Sequence, residues 1–96
     1  MSNLSLAAAN KIYYASLLHD AQGELSSVAE RRSLLSLIMS ESESTNAAAE
    51  EEDRALEQIQ NQLETQIKLY ESLQKAAEDW EKTAAKGAAS NFSTTG

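Results

Sequence analysis

From Met1 to Lys86 the chain contains no proline and a single glycine, Gly23. Strands and tight turns need residues that reverse or interrupt the backbone at short intervals, and glycine and proline are the usual suppliers. Without them, long helices are the regular structure that fits such a stretch. The side chains agree, because Ala, Leu, Glu, Gln and Lys dominate and are good helix formers. At 96 residues there is room for one domain.

The spacing of apolar residues predicts two helices. The first spans residues 3–39, with Leu4, Ala7, Lys11, Tyr14, Leu18, Ala21, Leu25, Val28, Arg32, Leu35 and Met39 in alternating steps of three and four. The second spans 47–86, with Leu56, Leu63, Tyr70, Ala77 and Ala84 recurring every seven and Ile59, Gln66, Leu73 and Trp80 three residues after the first four. These are the a and d positions of a coiled-coil seam. Residues 40–46, Ser-Glu-Ser-Glu-Ser-Thr-Asn, form the connection, since their side chains compete for backbone hydrogen bonds. The first stripe, continued through the connection, would bring Asn46, Asp53 and Gln60 into its seam. That mismatch favours a break there.

Asn46, or Ser44 or Thr45 before it, is placed to cap the second helix. Acidic Glu50–Asp53 lie at its positive end, Lys82 and Lys86 at its negative end, and Gly87 where a terminating glycine belongs. Residues 1–86 are thus expected to form a hairpin and 87–96 a polar, flexible tail. Glu50–Arg54, Glu64–Lys68, Glu71–Lys75 and Glu78–Lys82 are expected as helix-surface pairs, worth about 0.2–0.5 kcal/mol each. Folding the chain about residue 43 sets Arg31 and Arg32 against Glu51–Arg54, and Leu18 against Ile67.

A two-helix hairpin has one shared seam, and the first helix carries more apolar residues than one seam can cover. Gly23 costs it roughly 1 kcal/mol relative to alanine and marks a possible kink or close helix contact; a kink there would give a three-helix bundle instead. The expected partner interface is Ile12, Leu17, Leu34 and Ile38 on the first helix, with Leu37 nearby, and Ile67 and Leu69 on the second.

Several function classes are disfavoured. The formal charge of −7 repels nucleic-acid backbones and anionic membranes. No apolar run approaches the roughly 20 residues of a membrane span, so no membrane insertion is expected. There is no cysteine, and His19 is the single histidine, so no catalytic, cofactor-binding or metal-ligating constellation is readable. Glu50–Asp53 lacks the glycine turn of a calcium loop. The N-terminus lacks the basic and apolar regions of a Sec signal peptide. The expected location is therefore the cytoplasm, or outside the cell by another export route.

The expected function is non-enzymatic: a structural subunit that self-assembles through exposed helix faces. The alternative is a small chaperone or adaptor that covers a partner's hydrophobic helix. Partners in either case are proteins. In plan, through Met1–Ser5, the 40–46 connection and the Ala88–Gly96 tail, the chain resembles the small helical components of bacterial type III secretion systems, namely needle and rod subunits and their chaperones. The turn here lacks the proline of needle subunits, and no family residue maps onto this chain. The resemblance implies self-assembly or pairing with a heteromeric partner, and non-Sec export for an assembling subunit.

Overall fold

The computed structural model describes the backbone of residues 3–44 and 46–95, with side chains as far as Gly87. It is an all-α helical hairpin of two packed helices, α1 (Asn3–Glu41) and α2 (Ala47–Thr95). The connection is short, with bends at Glu43 and Ser44. Next to it, Ser40 Oγ donates to the Leu37 carbonyl at 2.8 Å, occupying an acceptor at the end of α1.

Asn46 caps α2. Its Oδ1 accepts from the Ala49 amide at 3.0 Å, and its carbonyl accepts from the Glu50 amide at 3.0 Å. The Ala49 amide lies in the first turn, where helix donors have no intrahelical acceptor, and the Glu50 bond is the first i→i−4 bond of the helix.

The other end of α2 differs from expectation. Gly87 does not terminate the helix, which runs on to Thr95. A terminating glycine works by adopting positive φ, and no described glycine does so. The Ala88–Ala89 pair that follows is favourable for helix, and nothing up to Thr95 forbids it. The polar tail is helical backbone as far as it is described; Gly96 lies outside the described residues. Gly23 introduces neither a third helix nor a close contact: α1 passes through it, and open space surrounds the position of an added Cβ.

The helices pack as two units. One joins the α1 residues up to His19 with α2 from Lys68 onward, and the other is Asp20–Ile67. In the first unit Ala7 and Ala77 are buried, while Tyr14, Leu18, Tyr70, Leu73, Trp80 and Ala84 are half-buried. In the second, Ala21, Leu35, Ala49, Leu63 and Ile67 are buried, and Leu25, Val28, Met39 and Leu56 are half-buried. Every member of the α1 stripe from Ala7 to Met39 is thus at least half-buried; only Leu4 is exposed.

In the second unit the α2 seam is rotated from its expected phase. The positions at Leu56, Leu63, Tyr70, Ala77 and Ala84 hold, but Gln60, Ile67, Gln74 and Glu81, four residues on rather than three, also turn in, with Asp53 one heptad before Gln60; Leu73 and Trp80, three residues on, stay half-buried. Ile59 is 43% exposed and Gln66 is exposed, whereas Ile67 is only 9% exposed. The charged members of the α1 stripe explain the rotation. Lys11 and Arg32 sit in the seam and need acceptors. Turning Gln60 inward forgoes some apolar burial of Ile59 and gives the half-buried Arg32 guanidinium a third hydrogen bond beside the two it makes to Asp53.

Candidate interaction surface

The charged seam positions are filled by ion pairs between the helices. In the second unit Arg32 grips Asp53 with two hydrogen bonds, Nε to Oδ1 at 2.9 Å and Nη2 to Oδ2 at 3.3 Å. Its Nη1 donates to Gln60 Oε1 at 2.8 Å, and Glu57 lies 4.0 Å away. Gln60 in turn donates to Glu64 at 3.2 Å. Beside this network Arg31 makes its own fork to Glu52, at 2.7 and 3.0 Å. The planar guanidinium matches a carboxylate edge-on, so both contacts have the favourable two-point geometry.

These contacts shift the groups' proton affinities. Hydrogen bonding to Arg31 holds the Glu52 carboxyl below its ordinary value of 4.5, and hydrogen bonding to Arg32 holds Asp53 below 3.8. The same bonds raise both arginines. In the first unit Lys11 Nζ donates to Glu81 Oε1 at 2.9 Å.

The arginines therefore meet the acidic start of α2, as folding the chain about residue 43 predicts. Lys11 departs from that simple register, which would set it opposite Lys75. The expected surface pairs within α2 do not close: among the described residues, the ion pairs within 4.0 Å all join α1 to α2. Arg54 turns instead to the Glu50 carbonyl at 3.4 Å. A solvated pair gains little from closing, because holding two long side chains costs entropy comparable to the attraction.

Four of the six expected interface residues are exposed. Ile12 is 68% exposed, Leu34 54%, and Ile38 and Leu69 about half. Leu17 is half-buried. Ile67, expected at the interface, is only 9% exposed and lies in the core of the second unit.

The exposed residues fall into separate groups. In the second unit Leu34, Leu37 and Ile38 occupy one turn of α1, spaced three and four residues apart and so on one face. Leu34 and Leu37 line a shallow groove with Glu30 and Ser33. In the first unit Ile12 and Tyr13 are exposed on α1 and Leu69 on α2. The Tyr13 and Tyr14 rings lie 5.5 Å apart at a tilt of 59°. Two carboxylates that apolar spacing alone does not single out lie beside the Leu34 face. Glu30 lies four residues before Leu34 and Glu41 three after Ile38. That helical spacing was the signal for them.

Among the described residues, no group of three acidic, His or Cys side chains is placed to hold a metal ion. Glu52 and Asp53 of the acidic run are engaged by arginine. No described helix is long and apolar enough to cross a membrane. No protein-family model, curated protein or solved structure matches the chain. A functional reading therefore rests on the surface itself.

Proposed function

We propose that this chain is a non-enzymatic interaction subunit that binds helices through the α1 face its own hairpin leaves uncovered. One observation carries the reading. Among the described residues, Leu35, Leu63 and Ile67 are the large apolar side chains buried in the seam, and the other buried positions are alanines. Leu34, Leu37, Ile38, Ile12, Tyr13 and Leu69 meanwhile face solvent. Burying a large apolar side chain is worth about 1.5–3 kcal/mol. The Leu34, Leu37 and Ile38 side chains, each about half exposed, therefore leave apolar burial unrealised on one face of α1, and a partner helix would realise it.

Two forms of the reading share this surface. In the first, copies of the chain assemble through their exposed α1 faces into an oligomer or rod. In the second, the chain serves as a small chaperone or adaptor for a partner's apolar helix. The carboxylates beside Leu34 and Ile38 favour the second, since a like surface on a second copy would repel them. Both forms agree with the plan shared with small type III secretion components. They also agree with residence in the cytoplasm or export without a Sec peptide.

Size-exclusion chromatography with light scattering, run from micromolar to millimolar chain, tests the reading. Concentration-dependent oligomers that Leu34→Asp disperses support self-assembly. A monomer that binds an apolar environment-sensitive dye, with binding reduced by Leu34→Asp, supports the adaptor form. A monomer that binds no such dye at any concentration would overturn both.

A further inference from the structure

The charges around the Leu34 face say what kind of helix it takes. Leu34, Leu37 and Ile38 form a three-residue apolar diamond on α1. Glu30 precedes it by one turn and Glu41 follows it by one turn on the same strip of helix. Neither carboxylate has an ion-pair or hydrogen-bond partner among the described residues. The nearest cation on this helix, Arg31, already spends its guanidinium on Glu52. The diamond is therefore closed at both ends by uncompensated negative charge, about 16 Å apart at 1.5 Å per residue.

We infer that this face docks a basic amphipathic helix from another protein. The inference rests on the helix-binding reading and names the chemistry of the partner. The occupant would present an apolar stripe at helical spacing, with Lys or Arg on either side about three turns apart. The apolar diamond supplies most of the affinity and the two carboxylates supply the choice of partner.

A second copy of this chain fits less well. It carries the same carboxylates and a net charge of −7. Of its eight basic residues, Lys11, Arg31 and Arg32 are held by acids. Arg54, Lys68, Lys75 and Lys82 each lie one turn from a glutamate on the same face, so that face of α2 is mixed in charge rather than basic, although among the described residues no ion pair closes there. Lys86 alone does not make a basic helix face.

The test is binding of two labelled synthetic 18-residue peptides to the full chain by fluorescence anisotropy. Both carry leucines at helical spacing; one has lysines flanking the stripe and the other has glutamates. The lysine peptide is expected to bind the wild-type chain about tenfold more tightly, a gap that narrows with salt. The double variant Glu30→Lys/Glu41→Lys, its helicity checked by circular dichroism, is expected to reverse the preference. Leu34→Asp is expected to abolish binding of both peptides, and Ile12→Asp to leave it unchanged.

Equal binding of the two peptides to the wild-type chain overturns the inference, as does an unreversed preference in the double variant. Self-association that Leu34→Asp abolishes, with no binding of either peptide, makes a second copy the occupant. That result overturns the inference but leaves the helix-binding reading standing. Absence of peptide binding and of self-association overturns the inference, and the helix-binding reading falls with it when no apolar dye binds either.

Discussion

Leu34 and Leu35 are adjacent in sequence and opposite in environment, so truncating each in turn tests the seam. Leu35 is 2% exposed and Leu34 is 54% exposed. Leu35→Ala removes three carbon groups from the core. At about 0.8 kcal/mol per buried group the transfer loss is about 2.4 kcal/mol. A cavity adds to this, although a two-helix layer collapses around a void more readily than a thick core. The expected cost is thus about 2–3 kcal/mol, near the lower end for buried leucine truncations. In a domain of this size that lowers Tm by about 10–20 °C. Leu34→Ala is expected to change stability by less than about 0.5 kcal/mol, because it leaves the seam intact. Thermal melts followed by circular dichroism at 222 nm, at low micromolar concentration, measure both. A silent Leu35→Ala, or a Leu34→Ala as damaging as Leu35→Ala, would refute the assignment of inner and outer faces.

Gly23→Ala is expected to stabilise the hairpin by roughly 1 kcal/mol, since the glycine lies in mid-helix and open space surrounds an added Cβ; a lowered Tm would count against it. The Arg31–Glu52 and Arg32–Asp53 pairs predict a specific acid response. Both carboxyls have depressed folded-state pKa values, so their contribution is full above the ordinary values of 4.5 and 3.8 and is lost as pH falls through the folded ones. Wild type is therefore expected to exceed Glu52→Gln/Asp53→Asn in Tm at pH 7, with the gap closing as pH falls below the ordinary value of 4.5. All other carboxylates are common to both proteins and cancel in the difference. A gap independent of pH would show that the pairs add nothing through charge.

Much of the hairpin can be read from residue spacing alone. The α1 stripe was legible because its steps of three and four never fail over three dozen residues. The cap was legible only to within Ser44, Thr45 and Asn46, because all three residue types can take that role. The phase of the α2 seam was not. Ile59 and Gln60 flank the same heptad position, and apolar pattern favours Ile59. What turns Gln60 inward is Arg32 on the other helix, a long-range requirement that no pattern within α2 contains. At the next heptad Ile67 turns inward and the polar Gln66 outward, as apolar burial favours. Gly87 misled because glycine ends a helix only when the backbone turns left-handed there, and local sequence does not compel that turn. Ile12, Leu34, Ile38 and Leu69 were legible as surface because they are apolar residues out of phase with both seams. The carboxylates that give the Leu34 face its chemistry emerged only once that face was known to be outside.

The ion pairs between the helices also bear on the order of folding. Arg32 and Asp53 are 21 residues apart in the chain, and Lys11 and Glu81 are 70 apart. Closing the longer loop from the unfolded state costs about 1 kcal/mol more chain entropy. Contacts beside the connection should therefore form first, with the chain ends following by extension. A substitution at Arg32 is then expected to slow folding, whereas one at Lys11 mainly speeds unfolding. Stopped-flow kinetics on Arg32→Ala and Lys11→Ala would show the opposite assignment if folding began at the ends. The turn-proximal arginine network would thus act as the folding nucleus, on the same stretch of α1 that carries the Leu34 face.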